Sequence, residues 1–216
     1  LMQRVEERFF QSCAHHMSSA DYSALEALGT LKIASDHLAA ITGLQTDRMT
    51  RDDGWRLLSI GRHIERLGFL SCALRIGLET QSVHYNGGFE AMVALFDSTI
   101  TFHAQYQQSR DMAALIDLLV LDRDNPRSLA WVVQTLRGRL AKLAGSEPDQ
   151  LSLLSLSIPD PFQWTLDALV DTDALGPHDS LIELLRECTA AAYHVSEEIG
   201  ATYFTHSGDT GQSLGA

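Results

Sequence analysis

The sequence predicts an all-α fold, a bundle of long antiparallel helices. Three observations carry that prediction. Apolar residues recur at helical spacing through long stretches of the chain. Only five prolines fall among 216 residues. Clusters of β-branched residues, which strands favour, are rare. With 45% of residues hydrophobic and 20% charged, there is enough apolar material for one globular core.

The elements follow in order. Residues 1 to 17 place Val5, Phe9 and Cys13 at four-residue spacing. Residues 21 to 42 place Leu28, Leu31, Ala34, Leu38 and Ile41 on one face, with Gly43 as the expected stop. Thr50-Arg51-Asp52-Asp53 resembles a capping box, with an acid three residues after the threonine. It opens a long helix to about Thr80. In that helix Leu57, Ile60, Ile64, Leu67, Ser71, Leu74 and Leu78 form one continuous stripe. Asn86-Gly87-Gly88 reads as a turn. Residues 89 to 107 then carry Phe89, Met92, Phe96, Ile100 and His103 on one face, which makes His103 a core histidine. Residues 111 to 121 form a short, very apolar helix.

Residues 122 to 128 are a boundary, with Asn125 as a helix cap and Pro126 at the first helical position. The next helix shows Leu129, Val133, Leu136, Leu140 and Leu143 on its apolar face. Residues 148 to 157 and 161 to 170 read as shorter helices, the second capped by Asp160. The last long helix, 179 to 205, carries Leu181, Leu184, Cys188, Ala191, Val195 and Ile199. A single helical domain over 1–205 is expected, followed by a frayed tail at 206–216 rich in Gly, Ser and Thr.

The segment from Arg51 to Leu70 carries the most chemistry. Beside the apolar stripe runs a second row: Leu58, Gly61, Glu65, Gly68 and Cys72. Glycine inside a helix costs about 1 kcal/mol against alanine, so a close approach is expected at both glycines. Glu65, between them, is expected to be buried and bonded to an arginine, with Arg62 the nearest in sequence. Losing such a buried partner costs about 3–5 kcal/mol. A structural ion-pair network and a ligand pocket are both consistent with the cluster. In the pocket, Arg62 and Arg66 hold an anion bidentately, and Glu65 binds an amine or acts as a base. Arg51 and Asp53 begin the same helix. Arg127 and Ser128 fall where a following helix exposes its first N–H groups, which favour anions; a plain cap is the alternative. Trp55 reads as core or interface.

Charge excludes several functions. The net charge of −12 argues against nucleic-acid binding and against an anionic membrane surface. No apolar run approaches the length of a membrane span. The basic residues are fourteen Arg and two Lys, Lys32 and Lys142. Arginine suits bidentate recognition of carboxylate and phosphate, although coding bias would produce the same skew. Three widely spaced cysteines, Cys13, Cys72 and Cys188, suit reduced thiols and a cytoplasmic location. His194 stands three and four residues before Glu197 and Glu198, but no full metal-ligand set appears, so neither metal nor cofactor is expected. Gly-rich phosphate loops and nucleophile elbows are absent.

Arg51, Asp53, Gly54, Trp55 and Arg56, then Gly61, Arg62, Glu65 and Arg66, then Asn125, Pro126, Arg127 and Ser128 resemble, in that order, the motifs of the bacterial Alpha-E family. The resemblance implies an all-helical domain named for its Glu-Arg motif. It also implies that this chain corresponds to the carboxy-terminal two thirds of a full domain, the first copy of the motif being absent. The family is encoded beside, or fused to, circularly permuted ATP-grasp proteins, often with transglutaminase-like proteins. The implied partners are therefore an ATP-grasp ligase and a transglutaminase-like protein, and the implied role is in forming amide bonds or modifying peptides. Three readings stay open. One is an accessory or substrate-handling domain. Another is a catalytic module with Glu65 as acid/base and Arg62, Arg66 and Arg127 as anion binders. The third is a purely structural interaction domain. With a partner helix missing, the stripe on the long helix is expected to be exposed or covered by a second copy in a homo-oligomer.

Overall fold

The first helix of the described residues, α1, spans Ala24–Arg48 and runs straight through Gly43, the expected stop. Nothing lies within 4 Å of a Cβ placed at Gly43, so the glycine marks no close contact there. Leu25, Leu28, Leu31 and Leu38 on α1 are all exposed. The computed structural model describes residues 24–107, 109–145, 152–170 and 178–204. The expected helix at 1–17 and the tail at 206–216 lie outside them. The chain divides into two compact units, Leu1–Trp55 and Arg56–Ala216.

At the end of the first unit, Asp52 Oδ1 accepts the backbone N–H of Trp55 at 3.0 Å. The helix α2, Asp53–Glu79, is therefore capped by Asp52 rather than by Thr50. A carboxylate one residue before the first helical residue reaches the third N–H directly and also complements the helix dipole. Arg51 donates to the Thr46 carbonyl at 3.0 Å, and its guanidinium lies 4.1 Å over the Trp55 ring.

The second unit is built on α2. Ile60, Ile64, Leu67, Ser71, Leu74 and Leu78 are buried, as the periodicity predicts. They are covered by the chain itself, which overturns the expectation of a bare stripe. Opposite them lies α7, Asp179–Tyr203, whose predicted face from Leu181 to Ile199 is buried throughout. A Cβ at Gly68 would sit 3.6 Å from that of Ala192, and Arg186 reaches Glu79 at 3.0 Å. As α2 advances, its partners on α7 recede in number, so the two helices are antiparallel. Against α6, Leu129–Leu143, packs a deeply buried segment. This is α5, Met112–Ile116, continued by a π-helical turn, Asp117–Leu121. Leu115, Leu118, Leu119 and Val120 there are fully enclosed. Among the described residues there is no strand.

The helix expected over 89–107 is two. Helix α3 spans Asn86–Leu95 and α4 spans Thr99–Tyr106. Asp97, at φ +50°, breaks the run between them. The break resets the helical register, so Phe102 is buried while Ile100 and His103 are exposed. Asn86-Gly87-Gly88 is the first turn of α3 rather than a free turn. Residues 153–156, 161–163 and 166–169 are single helical turns, where longer helices were expected. Asp160 does cap its turn, accepting from Phe162 N at 3.2 Å.

The glycines that packing requires are not the two flanking Glu65. Gly61 is exposed with nothing within 4 Å of an added Cβ, and Gly68 makes only ordinary contact. At Gly77 an added Cβ would sit 2.7 Å from Met92 Cε and 2.9 Å from Val83 Cγ1. At Gly88 it would fall 1.9 Å from the backbone oxygen of Ser82, which cannot swing aside. Gly61→Ala should therefore stabilise the chain by up to about 1 kcal/mol. Gly77→Ala should cost about 1–3 kcal/mol, and Gly88→Ala more. Urea midpoints of the three variants check this order.

Candidate functional site

The site forms where the loop before α6 meets the middle of α2. The π-helical turn of residues 117–121 shifts the backbone register by one residue and closes with the Asp122 N–H on the Asp117 carbonyl at 2.9 Å. That shift leaves the Leu118 carbonyl to find another donor. Asn125 supplies it: its Nδ2 donates to Leu118 O at 3.2 Å and to Ser98 Oγ at 3.4 Å. Its Oδ1 accepts the Arg127 N–H at 3.1 Å. Asp122 Oδ1 accepts the N–H groups of Asp124 and Asn125 at 2.9 and 3.1 Å. The Ser128 hydroxyl donates to the Asp122 carbonyl and accepts from Trp131 N at 3.1 Å.

Ser128 is thus the N-cap of α6, and Asn125 and Pro126 lie ahead of the helix. Asn125, expected as a cap, instead ties the loop to the preceding turn. Both residues are buried, so neither the Asn125 amide nor the Ser128 hydroxyl offers an open anion site.

What the loop presents outward is Arg127. Its Nε and Nη2 both reach Asp97 Oδ2, at 2.8 and 2.6 Å. Asp97 is itself the left-handed residue that separates α3 from α4. From α2, Arg66 reaches toward the same loop, with Nη1 3.4 Å from the Pro126 carbonyl. Partial burial holds the Arg66 guanidinium below its ordinary value. The neighbouring Arg127 charge acts in the same direction, and Asp97 opposes both.

One turn back on α2, His63 Nδ1 lies 2.6 Å from the Ser59 carbonyl. A carbonyl can only accept, so Nδ1 carries the proton and Nε2 is left as the acceptor. The ring lies 5.8 Å from that of Trp131 on α6. Burial lowers the His63 pKa, against the Ser59 bond, and the charges of Arg139, Arg66 and Arg62 lower it further. A neutral imidazole among arginines results, in a chain whose net charge is −12.

Of the expected site residues, Arg66, Asn125, Arg127 and Ser128 come together. Arg62, half-buried, is close enough for its charge to act on His63. Glu65 departs from expectation. It is exposed and has no ion-pair or hydrogen-bond partner among the described residues. The row it shares with Gly61 lies at the open edge of α2 and not in the seam, which is why no buried pair forms. Arg51 and Asp53 belong to the first unit. His63, Asp97, Trp131 and Arg139 were not singled out as site residues from sequence. His63 stands inside the Gly-Arg-His-Ile-Glu-Arg run, so position alone could have flagged it; Asp97 depends on a backbone break that no local pattern announces. Among the described residues there is no cluster of three or more His, Cys, Asp or Glu able to hold a metal ion. No helix of the described residues is long and apolar enough to cross a membrane.

The fold and site define an all-helical domain with an arginine cluster built on a Glu-Arg pair. The chain belongs to the Alpha-E family, described as a predicted alpha-helical domain with a conserved ER motif, whose model matches residues 5–204. That is nearly the whole chain. It takes in a second Glu-Arg pair, Glu7-Arg8, which lies outside the described residues. The chain is also similar to the uncharacterized proteins Mb2597 of Mycobacterium bovis and Rv2567 of Mycobacterium tuberculosis. It is 26% identical to each over 207 residues, covering 89% of this chain and 23% of theirs. The chain thus spans about a quarter of the length of the curated relatives it matches. No solved structure matches.

Asn125→Ala strips the Leu118 carbonyl of its donor in a buried place and should cost about 1–3 kcal/mol. Glu65→Ala should change stability by no more than about 0.5 kcal/mol. Chemical denaturation of the two variants separates these outcomes. For His63, the folded-state pKa lies below the unfolded value of 6.5. The unfolded chain therefore binds more protons below that pH, and stability falls as the pH drops from about 6.5 toward the folded pKa. His63→Gln should remove that share of the acid loss, read from midpoints measured between pH 7 and pH 5.

Proposed function

We propose that the Arg66–Arg127 cluster receives a carboxylate or phosphate, and that this domain handles such a substrate for an ATP-grasp-linked system that forms amide bonds or modifies peptides. The single observation that carries the reading is that Arg66 reaches the carbonyl of Pro126, the residue before Arg127, at 3.4 Å, which brings two arginines to one loop. Partial burial and the neighbouring Arg127 charge both disfavour the charged Arg66 guanidinium, and a bound anion relieves both. Arginine also matches the two oxygens of a carboxylate or phosphate in its plane.

Two further facts support it. The family is described by a conserved ER motif, and Glu65-Arg66 is one of two Glu-Arg pairs within the matched residues. The curated relatives are about four times longer than the matched segment, as expected if such a domain works inside a larger assembly. The partners, an ATP-grasp ligase and a transglutaminase-like protein, follow from the family resemblance.

A second reading is favoured by the exposure of Glu65. Standing next to Arg66 in sequence and unpaired among the described residues, its carboxylate is available to an ammonium group or to a proton leaving an amine. In that reading the domain performs part of the chemistry.

Calorimetric titration of the chain with tetraglutamate, ATP and inorganic phosphate tests the proposal. At least one should bind, more weakly as salt rises. Arg66→Lys and Arg127→Lys, which keep charge but lose the planar fork, should each weaken it by about ten-fold or more. Glu65→Gln should leave the affinity for an anion unchanged or raise it. No binding by any of the three, or equal binding by the lysine variants, contradicts the anion site and leaves a scaffolding role.

A further inference from the structure

Helix α6 carries another arginine to a different place. Arg137 and Arg139 are two residues apart, so they leave the helix roughly 200° from one another. Arg139 acts on His63, whereas Arg137 lines an open cleft of about 660 Å³ formed with residues 156–163 and α7. Arg137 is only 8% exposed. Its Nη1 lies 3.0 Å from Asp160 Oδ1, but the pair is not aligned for a hydrogen bond, and Nη1 is buried without an acceptor. Asp160 Oδ1 is engaged by the Phe162 N–H at 3.2 Å. Asp160 therefore balances the Arg137 charge without satisfying its Nη1 N–H. A buried guanidinium in that condition is costly unless an acceptor completes it.

Other residues of the cleft select among acceptors. Glu187 and His194 on α7 line it and are exposed, while Ile158 and Ala191 supply buried apolar wall. A free phosphate would meet the Arg137 fork with two carboxylates, Asp160 and Glu187, close by. A simple cation would meet a buried guanidinium. A group carrying both charges meets neither obstacle.

We propose that this cleft binds a small zwitterion, an amino acid or a short unblocked peptide, with its carboxylate on Arg137 and its ammonium on Glu187. The site is separate from the Arg66–Arg127 cluster and does not depend on the reading given to that cluster.

Titration of the chain with alanyl-alanine, N-acetyl-alanyl-alanine and alanyl-alanine amide, followed by calorimetry and backbone amide shifts, tests it. Alanyl-alanine should saturate, and each blocked form should bind at least about ten-fold more weakly, because each lacks one charge-assisted contact. The shift changes should fall on residues 156–163 and 187–194. Glu187→Gln, at an exposed position that folding does not need, should weaken alanyl-alanine by about ten-fold and leave the acetylated form unaffected. Arg137→Lys, where it folds, should lose both. Arg66→Lys should leave alanyl-alanine unaffected, which separates this site from the other cluster. The proposal is overturned if alanyl-alanine does not saturate up to its solubility, or if either blocked form binds equally well. Shift changes centred on residues 62–66 and 125–127 would also overturn it.

Discussion

One buried amide, that of Asn125, holds the site together. The π-helical turn before it leaves the Leu118 carbonyl in need of a donor, and Asn125 answers it from the following loop. The same side chain reaches Ser98 and receives the Arg127 N–H, so three segments meet at one residue. Polar groups in such a place are costly when half-satisfied and rigid when fully satisfied. That rigidity sets where Arg127 leaves the loop. It also places the loop within reach of Asp97 on one side and Arg66 on the other.

The electrostatics follow from this placement. An acidic chain gathers Arg62, Arg66 and Arg139 around a neutral His63, with Arg127 acting in turn on Arg66. Helix α2 delivers two of these arginines and the imidazole from residues next to its buried stripe, so the hydrophobic core fixes their position. The carboxylate of the Glu-Arg pair and its arginine have different surroundings. Arg66 turns toward the loop, whereas Glu65 stands in solvent. The pair therefore acts as two separately directed groups and not as one salt bridge.

Much of the fold was legible because helical periodicity is a direct record of burial. The stripe from Ile60 to Leu78, the face from Leu129 to Leu140 and the face from Leu181 to Ile199 all read correctly. What failed depended on single residues whose role is set by distant neighbours. Gly61 and Gly68 looked like marks of a tight seam, yet the tight glycines are Gly77 and Gly88, because only the tertiary approach of Met92, Val83 and Ser82 distinguishes them. Ile100 and His103 were assigned inward because the left-handed Asp97 resets the register without any proline or glycine to announce it. Of the site, the sequence pointed to Arg66 and Arg127, each within a motif, and misjudged the burial of Glu65. Arg137 was invisible as a site residue, since its interest lies in being enclosed.

The arrangement of the site depends on Asn125 positioning Arg127. The measurement is the Nε–H resonance of Arg127 and its exchange with water, followed in the native chain and in Asn125→Ala at a temperature where both are folded. In the native chain the Nε–H bonded to Asp97 should exchange slowly. In Asn125→Ala that protection should be lost while amides in the α2 and α7 cores stay protected. An Arg127 Nε–H that exchanges equally slowly in both proteins would contradict the account.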